Sequence, residues 1–250
     1  FTSPNASQIA PATVDVALVG TKNYILNSSF VNTTGIIEKA QLYIQPNDQT
    51  KTYGSTLDLT GNPNQFEAVG LVGSDSVTHV DLSSDGAVNT ALVNTYLIDA
   101  ANATGTGLDN YNIGYLDGTL TVNPKDLTIT ANSGTKVYGT EITPAGDEFS
   151  QVGLEDWDSL TIVTLASDGF AANAQVLGSP YAIVASDAVG SGLSNYAISY
   201  VDGLQAVTAK TLTITANSGT KVYGTEITPA GDEFSQVGLE DWDSLTIVTL

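Results

Sequence analysis

The sequence predicts an all-β fold, a tandem array of small immunoglobulin-like β-sandwich modules, and three observations predict it. The first is repetition. Residues 127–165 and 212–250 are the same 39 letters, 85 positions apart, and a fixed period of this kind marks a chain built from stacked units. The second is alternation of apolar and polar residues in Leu127-Thr-Ile-Thr130, Leu160-Thr-Ile-Val-Thr-Leu165, Tyr181-Ala-Ile-Val184 and Tyr196-Ala-Ile-Ser-Tyr200. A period of two puts one side chain in two on a buried face, as in a half-buried strand. The third is turn chemistry: Asp85-Gly86, Asp117-Gly118, Asp168-Gly169 and Asp202-Gly203 interrupt the alternating runs, and such dipeptides favour tight turns between strands. Six or seven short strands per module are expected. No 11-residue window presents an apolar face at helical spacing with caps. The Ala-rich stretch Ala166–Leu177 is the one candidate for a short helix, and it keeps a β-grasp-like module with one helix open as the alternative.

Taken in order, the chain reads as half a module, two whole modules and half a module. Residues 1–41 carry the end of a module, with Asn23-Tyr24 preceding Leu42 much as Asn110-Tyr111 precedes Leu127. Residues 42–126 are the first whole module and 127–211 the second; Lys51-Thr-Tyr-Gly54 aligns with Lys136-Val-Tyr-Gly139, and Asn110-Tyr111 with Asn195-Tyr196. Between these anchors the offset slips from 85 to 83, at Gly70-Leu71/Gly153-Leu154 and Ser84-Asp-Gly86/Ser167-Asp-Gly169, and then recovers. Patterned segments keep register while loops absorb the change. Residues 212–250 are the beginning of a further module. Val122-Asn-Pro-Lys-Asp126 and Val207-Thr-Ala-Lys-Thr211 join successive modules. Neither link is Gly/Ser-rich, and Pro124 stiffens the first, so semi-rigid stacking is expected. Two readings of the terminal halves stay open: a continuous array extending beyond this stretch, or halves of neighbouring copies completing one another.

Composition narrows the function classes. Acidic residues number 27 against seven lysines, with no arginine, for a formal charge of −20. Nucleic acid and anionic membranes need cationic partners, so neither is expected to bind. Without cysteine there is no disulfide, thiol or thiolate-metal chemistry. No apolar run approaches the ~18 residues of a membrane span. Phe1 opens no charged and apolar leader, so any export signal or anchor is expected outside this stretch. The single histidine, His79 in Ser76-Val-Thr-His-Val-Asp-Leu82, reads as a surface strand position. With one His and no Cys or Arg, the usual serine, cysteine and phosphoryl-transfer sites cannot be assembled, and no enzyme is expected.

Carboxylates supply the site candidates. Glu155, Asp156 and Asp158 flank a tryptophan in a loop, and Glu240, Asp241 and Asp243 repeat them. Three acids in a loop can contribute several of the six to eight oxygens Ca²⁺ takes. No Asp-x-Asp-x-Asp-Gly loop is present, and the upstream copy keeps only Asp75, so a solvated acidic loop is the competing reading and no cofactor is assigned. Aromatic side chains can stack on sugars, which keeps glycan as a candidate partner. Yet Tyr53, Tyr138 and Tyr223, like Tyr96/Tyr181 and Tyr111/Tyr196, recur at fixed module positions, as core or core-rim aromatics do. Two lysines per module reveal no trio for a Lys–Asn isopeptide cross-link.

The residues resemble a known family. Lys-x-Tyr-Gly (Lys51–Gly54, Lys136–Gly139, Lys221–Gly224) and Gly-x-Gly-Leu-x-Asn-Tyr-x-Ile-x-Tyr-x-Asp-Gly (Gly190–Gly203, and Gly105–Gly118 with Asp109 in place of Ser) are similar to MBG domains of the YGX type. Val14-Asp-Val-Ala-Leu18, Asn23-Tyr24 and Gly35-Ile-Ile-Glu-Lys-Ala40 look more like the end of the related YDG module. The resemblance implies repeats in large secreted bacterial surface proteins, often filamentous-haemagglutinin-like adhesins exported by two-partner secretion. It brings no catalytic site. The function expected is an extracellular rod or fibre whose partners are neighbouring modules and other copies in a filament, with a multivalent glycan-binding adhesin as the alternative.

Overall fold

A computed structural model describes residues 9–15 and 30–245, with side chains from residue 37 onward. Residues 16–29, which hold Asn23-Tyr24, and residues 246–250 lie outside the described residues. The chain divides after Lys125 into two compact units. Strands dominate both, and among the described residues the helical segments are single 3₁₀ turns.

In the first unit, β1 (Ile9–Asp15) pairs antiparallel with β2 (Phe30–Ile36). The first whole module follows as seven strands: β3 (Ala40–Pro46), β4 (Gln49–Thr52), β5 (Phe66–Val69), β6 (Ser76–Ser83), β7 (Thr95–Thr106), β8 (Tyr111–Tyr115) and β9 (Gly118–Asn123). They form a three-stranded sheet in the order β5-β3-β8 and a four-stranded sheet in the order β4-β9-β7-β6. β8 runs parallel to β3, and β9 parallel to β4. The alternation read from the sequence has its physical outcome in β3, whose Leu42 and Ile44 are fully buried while Gln41 and Tyr43 face out. These residues form one core with Phe66, Val77, Val80 and Tyr111, so the three-stranded sheet packs on the β6 side of the other. Burial of each large aliphatic residue stabilises by about 1.5–3 kcal/mol.

The second unit repeats the plan in its whole module. β10 (Lys125–Ala131), β11 (Gly134–Val137), β12 (Phe149–Val152), β13 (Ser159–Ala166), β14 (Tyr181–Ser191), β15 (Tyr196–Val201) and β16 (Gly203–Thr208) form sheets β12-β10-β15 and β11-β16-β14-β13. Its buried set includes Leu127, Ile129, Ala131, Val163, Ile183, Ala185, Tyr196 and Val207. The seven strands in two sheets agree with the predicted β-sandwich. The candidate helix over Ala166–Leu177 is replaced by two 3₁₀ turns, Asp168–Phe170 and Val176–Gly178. Ser167 caps the first, its Oγ accepting from Gly169 N at 3.1 Å. Gly at the second turn position and a side-chain cap that competes with the backbone both disfavour helix propagation. The third set of elements is β17 (Thr213–Ala216) paired with β18 (Phe234–Val237).

Candidate functional site

The motif lysines are structural in their setting. Lys51 and Lys136 occupy the inward position of the short strands β4 and β11 and are 8% and 6% exposed. The Lys51 ammonium donates to Ser55 O at 2.8 Å and to Val88 O. The Lys136 ammonium donates to Thr140 O at 2.8 Å, to Phe170 O at 3.4 Å and to Ala171 O. Each therefore ties the turn after its own strand to the 3₁₀ turn that precedes the long strand β7 or β14. Burial pushes both lysines below the usual range, and Glu141 opposes this at Lys136. The sequence reading missed this role. Gln49-Thr-Lys-Thr52 is polar throughout and shows no alternation; the signal present was the spacing of two between Lys51 and the aromatic Tyr53, both of them buried.

The acidic candidates separate into distinct settings. Tyr196, buried on β15, accepts from Glu155 N at 3.0 Å and donates to Asp158 Oδ2 at 2.6 Å. Tyr111 repeats the arrangement on β8, accepting from Val72 N at 2.8 Å and donating to Asp75 Oδ2 at 2.9 Å. Burial, followed by the Asp75 carboxylate, pushes the Tyr111 phenol up, against the Val72 amide. Asp158 and Asp75 thus close the loop onto its module, and Asp156 is exposed. In the repeated loop, Glu240 pairs with Lys210, Asp241 is exposed, and Asp243 accepts from Tyr138 Oη at 3.2 Å. Among the described residues no three acidic or imidazole side chains come together as a metal-holding group.

The recurring tyrosines divide between core and rim. Tyr53, Tyr111 and Tyr196 are buried. Tyr96 and Tyr181 lie half-buried over Gly86 and Gly169, donating to Leu92 O at 2.9 Å and Gln175 O at 2.7 Å. His79 sits about half exposed on β6, its Nε2 3.1 Å from Asp81 Oδ1. Asn102 Nδ2 donates to the other Asp81 oxygen at 2.9 Å, and this bond, followed by His79, holds the carboxyl below its usual range.

A junction forms within the second unit, between its whole module and the β17–β18 segment. Trp242 Nε1 donates to Tyr138 Oη at 2.8 Å, and the two rings meet edge to face with centroids 6.4 Å apart and planes at 79°. Lys210, in the link after β16, reaches Glu240. A shallow cleft of about 410 Å³ lies beside these groups, lined in part by Tyr138, Val176, Leu177, Lys210 and Asp243. The arrangement packs the β17–β18 segment on the module before it, with aromatic, hydrogen-bonded and ionic contacts on one small face.

Comparison with known proteins agrees with the repeat. The family model described as MBG domain (YGX type) matches residues 42–121 and 127–204. The chain belongs to this family. Each match covers one seven-stranded module from its first strand into or close to its last. No curated protein and no solved structure matches the chain. Among the described residues, no helix is long and apolar enough to cross a membrane.

Proposed function

We propose that these MBG repeats are spacer modules of a large secreted bacterial surface protein, stacked into a semi-rigid extracellular rod. The single observation that carries the reading is the junction in the second unit. There the link residue Lys210 is held by Glu240, and Trp242 is seated on Tyr138. A link whose two neighbours are joined to each other transmits orientation, whereas a free link of similar length would not. Module motifs also serve the scaffold, with Lys136 and Tyr196 holding their own loops by hydrogen bonds. The acidic surface, at a formal −20, suits a soluble, self-repelling array. We assign the chain no enzymatic role, place it at the cell surface, and read residues 1–41 as the end of a YDG-like module.

Small-angle scattering on arrays of two, four and eight copies of residues 127–211 tests the reading. A rod lengthens in proportion to copy number, while freely jointed beads extend roughly as its square root. Square-root growth overturns the rod. Strong, avidity-dependent binding of the same arrays to a glycan panel would favour an adhesive role instead. Labelling of intact cells with an antibody raised to the module checks the location.

A further inference from the structure

We propose that Tyr138-Gly139 is the receptor, and the loop Glu240–Asp243 the insert, of a directional latch that joins each MBG module to the one that follows. The inference rests on the rod reading and names the surface that would make the rod stiff. Its parts come from two motifs of the same repeat, so every added copy of the period brings both a receptor and an insert. The surface is heterologous: one end of a module meets the opposite end of the next, and such contacts propagate in one direction.

The geometry is specific on both sides. Tyr138 Oη accepts from Trp242 Nε1 at 2.8 Å and lies 3.2 Å from Asp243 Oδ1, to which it donates. One hydroxyl is therefore used as acceptor and donor by two residues of the insert. Glu240, at the start of the loop, covers Gly139: a Cβ on Gly139 would stand 1.8 Å from Glu240 Oε1. The same carboxylate oxygen takes Lys210 from the link. Glycine is needed at position 139 for its φ of +90° and for this close approach. Gly224, its copy at φ +87°, has nothing within 4 Å, and Tyr223 is fully exposed. The two Tyr-Gly pairs have the same sequence, and the insert occupies the first. The loop that would serve as insert in the first whole module reads Gly73-Ser-Asp-Ser76 and has no tryptophan, so the latch is a property of the later repeats.

The full 250-residue chain tests this by magnetic resonance, with Trp157→Phe leaving Trp242 as its single indole. The Trp242 indole N–H should be shifted downfield, and Tyr138→Phe should move it and speed its exchange roughly three- to tenfold, the factor one net hydrogen bond supplies. Tyr223→Phe, in the unoccupied pair, should change neither. Because the chain has no cysteine, spin labels at Asn132→Cys and Asn217→Cys read the orientation of the two sides directly. A narrow distance distribution should broaden with Trp242→Ala while melting of the whole modules is unchanged. An indole insensitive to Tyr138→Phe, or a distribution unaltered by Trp242→Ala, overturns the latch. Arrays that scatter as rods despite either result would leave the rod standing without it, so the two readings fail separately.

Discussion

Residues 127–160 and 212–245 have identical sequences in different surroundings, and the differences between them separate local from tertiary control. Their local features coincide. Thr128 faces Val152 in one hairpin and Thr213 faces Val237 in the other. Glu148 accepts from Ala145 N and Gly146 N at 2.9 Å each, and Glu233 from Ala230 N and Gly231 N at 2.9 and 3.0 Å. Gly153 and Gly238 take φ of +110° and +103°, each where a Cβ would meet a backbone carbonyl, that of Asp126 and that of Thr211. Burial does not coincide. Leu127 and Ile129 are 0% exposed, whereas Leu212 and Ile214 are 37% and 41% exposed. Lys136 is buried in a strand, and Lys221 is exposed outside one. Among the described residues the first copy packs with β13 to β16, which supply the opposing sheet and the edge partners. Short-range hydrogen bonds make the hairpin; the second half of the module makes the core.

The largest expected break in this comparison is in that core. Ile129→Ala should destabilise the second module by about 2–5 kcal/mol, as for other buried large-to-small changes. Ile214→Ala, at the same place in the motif, should cost less than about 1 kcal/mol; urea melts of the two variants measure the gap. Equal losses would mean that the two copies are equally buried in solution.

Next comes the motif lysine. Lys136→Met leaves the carbonyls of Thr140 and Ala171 without their donor and should cost about 1–3 kcal/mol, against almost nothing for Lys221→Met. The pH dependence has a definite sign. Burial lowers the folded Lys136 value below 10.5, so over that interval the unfolded state binds more protons and stability rises with pH. The difference in melting between wild type and Lys136→Met, followed on the alkaline side, should carry this slope.

A smaller effect is expected at the loop that follows β12. Tyr196→Phe removes the hydroxyl shared by Glu155 N and Asp158 and should cost about 1 kcal/mol, with faster amide exchange at Glu155. Exchange unchanged there would remove Tyr196 as the anchor of the loop.

The smallest difference should be at the turn carboxylates, which have the same local geometry in both copies. Backbone amides, that of Ala145 or Ala230 first, hold Glu148 and Glu233 below 4.5. A depressed carboxylate contributes stability above its unfolded value and loses it as pH falls through the folded one. Glu148→Gln and Glu233→Gln should therefore cause similar small losses of turn order, both vanishing in acid. Amide chemical shifts of residues 145–146 and 230–231 followed with pH would show a mismatch.

Much of the fold was legible in advance. The period and the alternation led to the β-sandwich modules because each rests on neighbours in sequence or on simple repetition. The Asp-Gly dipeptides, expected as tight turns between strands, lie instead in 3₁₀ turns (Asp85-Gly86, Asp168-Gly169) or where the chain crosses from one sheet to the other (Asp117-Gly118, Asp202-Gly203). The parallel pairing of β4 with β9 and of β11 with β16 was not legible, since it joins segments about 70 residues apart. The acidic loop was visible as a candidate, but its division was not. Asp158 accepts from Tyr196 and Asp243 from Tyr138, tyrosines far away in sequence that only the fold brings to them.

By itself, then, the sequence determined the repeat, the strand-forming pattern and the hairpin that identical residues build twice. It also determined the lack of thiol chemistry and the acidic surface, which follow from composition alone. The tertiary structure decided which identical residues are core and which are surface, because burial depends on the strands supplied by the rest of the module. It also decided what the two Asp-Trp-Asp loops touch. A side chain's partner is set by whatever the fold brings to it: Tyr196 reaches Glu155 N and Asp158 within one module, and Tyr138 reaches Trp242 and Asp243 of the segment that follows.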